Sequence, residues 1–107
     1  MLKPIEFAGD SLTRLREFSP IARRAAGYQL DRVQRGLEPD DWKPMKAVGP
    51  SVRELRVRDR AGAFRVIYLT TLRDRVVVLH AFQKRTQRTA KQDIELAAKR
   101  LRELRKD

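Results

Sequence analysis

Apolar residues recur with a helical period through the first third of the chain. Leu12, Leu15 and Phe18 lie on one side of a short predicted helix. Asp10 and Ser11 come just before it, and either residue has a side chain that can accept hydrogen bonds from the first N–H groups of a helix. The pattern therefore predicts a first, short helix between these N-cap candidates and Phe18.

A second and longer helix is predicted directly afterwards. Ser19 is its expected N-cap, and Pro20 fits the first helical position, where no N–H is needed. Its buried stripe consists of Ala22, Ala26, Leu30 and Val33. Gly36 is a natural helix stop because glycine readily adopts the left-handed conformation that follows many helices. The two helices are expected to form a helical hairpin.

Strands are predicted where apolar residues alternate or form short continuous runs. They are expected at residues 4–7, 52–58, 64–70 and 75–83. A hairpin connection with glycine spans residues 59–63, and Arg73-Asp74 supplies the next turn. Residues 37–51 contain three prolines and are interpreted as a loop. The last strand is apolar on both faces, so it is expected in the centre of the sheet.

The last segment of the chain predicts a C-terminal helix. Thr89 and Gln92 match a capping box. The buried stripe consists of Ile94, Ala97, Leu101 and Leu104. The order β-α-α-β-β-β-α, in a single domain over residues 1–107, favours an α+β fold with a mainly antiparallel sheet. The helical hairpin and the C-terminal helix are expected on one face of that sheet.

The charge balance of the chain indicates what kind of partner it binds. Twenty-five Lys and Arg residues against fourteen Asp and Glu residues give a net charge of +11. Such an excess of positive charge repels itself and favours a polyanion, above all nucleic acid, because each neutralised phosphate releases counterions. An acidic protein partner would also neutralise it, and solubility alone is a third explanation.

Other residue types exclude several kinds of chemistry. The chain has no cysteine, which excludes disulfides and thiolate sites. Its one histidine leaves little for a zinc site or a Ser-His-Asp triad, so no cofactor or metal is expected. The first residues lack a signal-peptide pattern, and no apolar run approaches the ~20 residues of a membrane span. The expected location is the cytoplasm.

Strand alternation sorts the cations by face. If the apolar residues of the second and third strands face the helices, Arg56 and Arg65 face away from the helices together. Lys84 and Arg85 leave the end of the last strand nearby. These cations would form a basic surface for phosphate groups. A structural alternative stays open, in which Arg65 is an ion-pair partner of Glu54.

Several short motifs together resemble one protein family. They lie at residues 27–30 (GYQL), 33–36 (VQRG), 42–44 (WKP), 54–56 (ELR), 64–66 (FRV) and 79–86 (LHAFQKRT). In this order they resemble the RelE/HigB-type toxins of type II toxin–antitoxin systems, most closely the phage-derived HigB-like branch of the RelE/ParE superfamily. The resemblance runs nearly end to end and implies a small RelE-like fold.

The resemblance also implies an activity and its partners. It implies a ribosome-dependent mRNA endonuclease that uses metal-independent attack by a 2′-OH group and inhibits translation. The implied partners are the ribosome, mRNA and a cognate antitoxin, in this branch usually a helix-turn-helix HigA-like protein. By position in the family motifs, catalytic roles fall on Arg56, Arg65, Lys84 and Arg85. RNA contacts are expected from Arg58, Trp42, Phe82, Gln87 and Arg88.

The groups that would transfer protons are harder to identify. Arginine stays protonated in proteins, so Arg56 is a poor general base. Lys84 would serve if neighbouring cations lower its pKa. His80 has an ordinary pKa near neutrality, but alternation places it inside the strand, and a buried structural histidine is the alternative. The family often has Tyr or His in its last helix or tail, and residues 89–107 contain neither.

Two other functions stay open at this point. ParE-type toxins share the architecture and inhibit DNA gyrase instead of cutting RNA. A non-catalytic nucleic-acid-binding module would also present a basic face, and its affinity would depend strongly on salt. The concentration of cations at one place favours RNA chemistry, because a gyrase inhibitor does not need such a cluster.

Overall fold

A computed structural model describes residues 2–70 and 74–106. Within these ranges the strands are β1 (Ile5–Phe7), β2 (Trp42–Pro44), β3 (Val52–Asp59), β4 (Gly62–Leu69) and β5 (Val76–Lys84). The helices are α1 (Ser11–Arg16), α2 (Pro20–Gln34) and α3 (Lys91–Arg105). All four predicted strands and all three predicted helices are present. The predicted turn at Arg73-Asp74 lies partly outside the described residues, which do not include Arg73.

The strands form one mixed sheet in the order β1-β5-β4-β3-β2. β1 runs parallel to β5, and the other neighbouring strands are antiparallel. The predicted α+β fold with a mainly antiparallel sheet is therefore confirmed. The prediction that β5 is the central strand is wrong, because β4 is in the middle of the sheet. β5 still has a neighbouring strand on each side, which agrees with its two apolar faces.

The prediction of a loop over residues 37–51 is wrong in one respect, because this segment contains β2. Trp42 pairs with Leu55, and Pro44 pairs with Arg53 of β3. Three residues are too few to show an alternating pattern in the sequence. Proline is tolerated here because β2 is an edge strand, so the missing N–H removes no bond inside the sheet.

Helices cover both faces of the sheet, whereas the sequence predicted them on one. α1 and α2 pack on the face that contains Leu55, Val66 and Val78. α3 packs on the opposite face, against Ile67 and Leu79. The middle strands are apolar and buried on both sides along most of their length. A second layer of helix is needed to remove that second apolar face from water.

The helix ends follow the predicted residues only in part. Ser19 is the N-cap of α2, and its Oγ accepts a 3.4 Å hydrogen bond from the Ala22 N–H. Gly36 follows the end of α2 with a φ of +82°. The N-cap of α3 is Ala90 and not Thr89. The predicted capping box is wrong, because the Thr89 hydroxyl is bonded to a side chain of the sheet.

Asp10 connects α1 to α3. It is the N-cap residue of α1, but its side chain makes no capping hydrogen bond. Its carboxylate instead accepts hydrogen bonds from Arg14 Nε at 3.2 Å and Arg100 Nη2 at 2.6 Å. Arg100 Nη1 donates to the carbonyl of Leu79 at 2.9 Å. Gly9 has a φ of +53°, and a Cβ atom there would lie 2.6 Å from the Arg100 guanidinium, so glycine leaves room for this contact.

The predicted apolar stripes of the helices are buried or half-buried. The fully buried members are Leu15, Phe18, Ala22, Ala26, Leu30, Val33, Ala97 and Leu101. The half-buried members are Leu12, Ile94 and Leu104. No helix in residues 2–70 and 74–106 is both long and apolar enough to cross a membrane.

Candidate functional site

Arg56 and Arg65 are direct cross-strand neighbours. The register of β3 and β4 pairs them on one face of the sheet, opposite α1 and α2, as alternation predicted. The prediction that this face has no helix is wrong, because α3 packs on another part of it. Two like charges directly opposite each other destabilise an antiparallel pair. The arrangement therefore needs a negative group close to both guanidinium groups.

Glu54 is that negative group. It is fully buried and lies on the same face of β3 as Arg56. Its Oε1 is 3.3 Å from Arg65 Nε, 3.8 Å from Arg56 Nε and 3.9 Å from Lys43 Nζ. Its Oε2 accepts a 2.6 Å hydrogen bond from Thr89 Oγ1. One buried carboxylate thus gathers three cations and a hydroxyl group that lies just before α3.

The contacts of Glu54 Oε1 are ion pairs without aligned hydrogen bonds. Among the described residues, neither this oxygen nor the Nε atoms of Arg56 and Arg65 have a hydrogen-bond partner of good geometry. Arg65 Nη1 donates to the carbonyl of Phe64 at 3.1 Å. Charge therefore holds the two guanidinium groups in place, and several of their N–H groups stay free for an anion.

A small pocket of about 210 Å³ opens beside this cluster. It is lined by Asp41, Arg56, Val57, Arg58 and Arg65, and we call it the arginine pocket. The side chain of Arg56 is 32% exposed and Arg58 is exposed, whereas Arg65 forms the buried wall. Guanidinium groups bind phosphate through paired hydrogen bonds, so this pocket has the chemistry of a phosphate site.

Burial lowers the pKa of Arg65, and the charge of Glu54 opposes that shift. The ion pair with Glu54, which the sequence left open as an alternative, is present, with 3.3 Å between Arg65 Nε and Glu54 Oε1. It is compatible with anion binding, because Arg65 also lines the arginine pocket. A guanidinium that is partly neutralised and held rigidly on one side still presents N–H groups on the other.

Lys84 closes β5 beside the same cluster. It pairs with Ala63, which is two residues from Arg65 along β4. Burial lowers the pKa of Lys84, the positive charge of Arg65 lowers it further, and Glu54 partly offsets both effects. A lysine with a lowered pKa loses its proton closer to neutral pH, which is what a proton-transfer group requires.

A second pocket lies at the outer edge of β5, between α1 and α3. We call it the edge pocket; its volume is about 460 Å³. Part of its lining is Phe18, Phe64, His80, Phe82, Arg85 and Asp93. Arg85 therefore lies at this pocket and not at the arginine pocket. The two pockets are neighbours, because Phe82 is the cross-strand partner of Arg65.

His80 is buried, which agrees with the interpretation of this residue as a structural histidine. Its Nε2 lies 2.7 Å from Asp93 Oδ1, and its ring stacks on Phe82 with 5.0 Å between the centroids. Burial lowers the pKa of His80, although Asp93 acts in the opposite direction. The imidazole is therefore neutral at pH 7 and is held against α3.

Three predicted RNA contacts lie outside both pockets. Trp42 pairs with Leu55 and so faces the side of α1 and α2, where the Arg53 guanidinium lies 4.0 Å above its ring. Gln87 and Arg88 are exposed in the connection between β5 and α3. The structure does not bring Trp42 to the arginine pocket, and it places the other two on the surface that follows Lys84.

The groups that organise the cluster are mostly absent from the sequence-based prediction. The candidate residues did not include Lys43, Thr89 or Asp41. Glu54 was considered only as a structural ion-pair partner of Arg65. Alternation alone puts Glu54 beside Arg56 on one face. No local pattern could show that Thr89 bonds to a carboxylate 35 residues earlier. In the described part of the chain, no group of three or more His or acidic side chains is placed to hold a metal ion.

Comparison with known proteins identifies a family and a fold. Residues 13–102 match the sequence profile of a family described as phage derived protein Gp49-like. A structure of a mutant of the E. coli toxin RelE in the free state is similar with a TM-score of 0.62, at 15% sequence identity, over 97% of this chain and 99% of that chain. At that identity the likeness shows the fold, and the predicted RelE-like fold is confirmed. No curated protein sequence matches.

Proposed function

This chain belongs to the Gp49-like family of phage-derived proteins and has a RelE-like fold, and on this basis we propose that it is the toxin of a type II toxin–antitoxin system. We propose in addition that it is an endoribonuclease that cuts mRNA on the ribosome and thereby inhibits translation. The observation that carries this proposal is the pairing of Arg56 with Arg65 in the wall of an open pocket. Lys84 lies close enough for the charge of Arg65 to lower its pKa, although it does not line that pocket.

The proposed reaction is attack of a ribose 2′-OH on the adjacent phosphate. The 2′-OH loses a proton, negative charge develops on the phosphate oxygens, and the departing 5′-oxygen gains a proton. Preorganised cations stabilise the developing charge most effectively where they are held rigid and partly away from water. Arg65 meets that description because it is buried and fixed, and Arg56 supplies a second guanidinium on the open side.

Lys84 is the proposed proton-transfer group. Its lowered pKa brings it closer to the pH at which a general base works, and the same cations that bind the phosphate contribute to that shift. His80 is less suited to this task, because its Nε2 is engaged by Asp93 and it lies at the edge pocket. The remaining proton transfer is assigned to groups of the ribosome.

The partners follow from the same proposal. The substrate is mRNA bound to the ribosome, and a cognate antitoxin, a helix-turn-helix HigA-like protein, would neutralise the activity. The net charge of +11 supports binding to ribosomal RNA and mRNA. No feature of the two pockets favours gyrase as the target.

Primer extension on a reporter mRNA in a reconstituted translation system tests the proposal. Wild-type protein should produce cuts in phase with codons, and only when ribosomes translate the message. Arg65→Ala should abolish the cuts. The matched control is Arg24→Ala on α2, which removes an exposed arginine from the opposite side of the molecule and should leave the cuts unchanged.

Three results would contradict the proposal. Cuts that persist in Arg65→Ala would show that the arginine pocket takes no part in the reaction. An equal loss of cutting in Arg65→Ala and Arg24→Ala would show that the loss is a general effect of removing positive charge. Unaffected translation with intact mRNA would exclude the nuclease, and inhibition of gyrase supercoiling would then be measured. Circular dichroism of Arg65→Ala establishes that a loss of cutting is not a loss of folding.

A further inference from the structure

The outer edge of β5 is unpaired beyond the end of β1. β1 pairs with β5 as far as Val78, whose carbonyl accepts a 2.8 Å hydrogen bond from the Ala8 N–H. The carbonyl of Leu79 is bonded to Arg100. The next part of this edge, around Ala81 and Gln83, has no strand beside it among residues 2–70 and 74–106 and forms the floor of the edge pocket.

The register shows that the backbone groups of Ala81 and Gln83 point to this open edge. In an antiparallel ladder, successive residues direct their N–H and C=O groups to opposite sides. Arg56 directs its N–H toward the β2 side, so its partner Arg65 directs its groups toward Phe82 on β5. The backbone N–H and C=O of Phe82 therefore point toward β4, and those of Ala81 and Gln83 point outward. In the described part of the chain, their N–H and C=O groups have no hydrogen-bond partner.

Unpaired backbone groups at such a position are unusual. Ala81 is fully buried at the bottom of the edge pocket. More than nine in ten buried backbone polar groups in proteins are hydrogen-bonded, because leaving them unpaired costs about as much as a lost hydrogen bond. Gln83 is only half-buried, so a ligand that offers a donor and an acceptor side by side would reach its N–H and C=O groups.

The walls of the edge pocket are aromatic. The rings of Phe18 and Phe64 lie 4.7 Å apart between centroids, and His80 stacks on Phe82. The exposed cation Arg85 lies at the rim. Aromatic walls, a polar floor and a cation at the rim together favour a flat heteroaromatic group that is attached to a phosphate.

The size of the pocket favours a compact ligand over an added peptide strand. Among the described residues of this edge, Ala81 and Gln83 alone direct free backbone groups outward, whereas strands are usually about 5–6 residues long. The turn at Ala8 and the side chain of Arg100 close one end of the edge. The volume of about 460 Å³ lies within the range of about 300–1,000 Å³ that small-molecule sites occupy.

We propose that the edge pocket binds one nucleobase of the RNA whose phosphate is held in the arginine pocket. Phe82 and Arg65 are cross-strand partners, and neighbouring strands lie about 4.8 Å apart, so a base next to that phosphate reaches the edge of β5. The N–H and C=O of Gln83, which is half-buried, pair with the polar edge of the base, and the aromatic walls contact its faces. This inference rests on the proposed function and adds a base-specific subsite to it.

NMR titration of the full-length ¹⁵N-labelled protein tests this subsite. The probes are an uncleavable 2′-O-methyl trinucleotide and three copies of it, each with one sugar made abasic. The intact probe should shift the amide signals of Ala81 and Gln83. One of the three abasic probes should lose those shifts and bind about 5- to 150-fold more weakly, which is the loss expected for one stacked base.

A pair of tryptophan variants provides the second measurement. Gln92 lines the edge pocket from the first turn of α3, so Gln92→Trp should fill the pocket and weaken binding of the intact probe by a similar factor. Lys91→Trp places the same ring on the neighbouring exposed residue outside the pocket and should leave binding unchanged. Neither substitution touches the core of the sheet.

The outcomes separate this inference from the proposed function. If every probe binds equally and shifts the signals of Arg56 and Arg58 but not those of Ala81 and Gln83, the base subsite is wrong and the phosphate site stands. If no probe shifts signals at either pocket, both proposals fail. If an acidic extended peptide shifts Ala81 while the trinucleotides do not, the edge is a peptide-docking site and the inference is overturned.

Discussion

Glu54 Oε1 and Arg65 Nε lie 3.3 Å apart, and both side chains are almost completely removed from water. Burying two charges costs free energy that their attraction only roughly offsets, so such a pair is weak evidence for stability by itself. Here the pair has a positional consequence. It fixes the guanidinium of Arg65 directly opposite Arg56, in a geometry that two arginines would not adopt alone.

Glu54→Ala is expected to lower the free energy of unfolding by about 3–5 kcal/mol, because Arg65 would stay buried without a counter-charge. Urea denaturation at constant pH measures the change. The matched control is Glu38→Ala, which removes an exposed carboxylate 3.8 Å from Arg53 Nη1 and should change stability by at most about 1 kcal/mol. Similar small losses in both variants would show that Arg65 does not depend on Glu54.

Lys84→Arg is expected to change the pH dependence of RNA cutting. The pKa of Lys84 is lowered, so the fraction of the neutral amine rises at a lower pH than for a free lysine. A general base at this position makes the rate increase with pH through that lowered pKa. Arginine keeps the charge but cannot lose its proton, so the increase should vanish and the rate should fall about 10²- to 10⁴-fold.

The control for this experiment is Lys46→Arg, an exposed lysine in the turn after β2, whose profile should match that of the wild type. Single-turnover rates of cutting over a range of pH values, with ribosomes in excess, supply the comparison. A Lys84→Arg protein that keeps both its rate and its pH profile would exclude Lys84 from proton transfer.

His80 is expected to make the stability depend on pH. Its pKa is lower in the folded protein than the ordinary value of 6.5. Between the two values the unfolded chain binds the proton and the folded protein does not. Stability is therefore fully present above about pH 6.5 and is lost as the pH falls from there toward the folded pKa. His80→Asn should remove this part of the dependence.

Urea unfolding at about pH 7.5 and about pH 5.5, in wild type and His80→Asn, isolates the histidine from the carboxylates. The wild type should lose more stability than the variant between the two conditions. An equal loss in both proteins would mean that His80 has the same pKa in the folded and unfolded states.

The same substitution should have opposite effects at two glycines. Gly9→Ala forces a side chain into a φ of +53° and places its Cβ 2.6 Å from the Arg100 guanidinium, so we expect a loss of more than about 1 kcal/mol. Gly27 lies inside α2, where a Cβ would meet nothing within 4 Å. Gly27→Ala should therefore stabilise by up to about 1 kcal/mol. Thermal unfolding of the two variants side by side measures both signs.

The elements of the fold could be predicted because they depend on local patterns. The stripe from Ala22 to Val33 and the apolar run of β5 are visible without knowledge of their neighbours. β2 could not be predicted, because three residues carry no period and only pairing with β3 makes them a strand. The position of α3 on the second face likewise depends on which apolar residues of the sheet remain uncovered.

The site could be predicted only to the level of faces. Alternation correctly put Arg56 and Arg65 together, because a strand has only two sides. The position of the other candidate residues depends on where their side chains extend, which the pattern does not show. Arg85 lies with His80 at the edge pocket, and Trp42 lies under Arg53 on the other face. The Thr89 bond to Glu54 joins segments far apart in the chain, and no pattern along the sequence encodes such a contact.

The parallel pairing of β1 with β5 has a consequence for how the chain folds during synthesis. Ile5 pairs with Val76, so the first strand has no partner until 71 more residues have been added. At about 5–20 residues per second, that delay is about 4–14 s. Lys84 and Thr89 emerge later still. A nascent chain therefore carries an open first strand and an incomplete arginine cluster until its translation is almost finished, and long-range pairing of this kind slows folding.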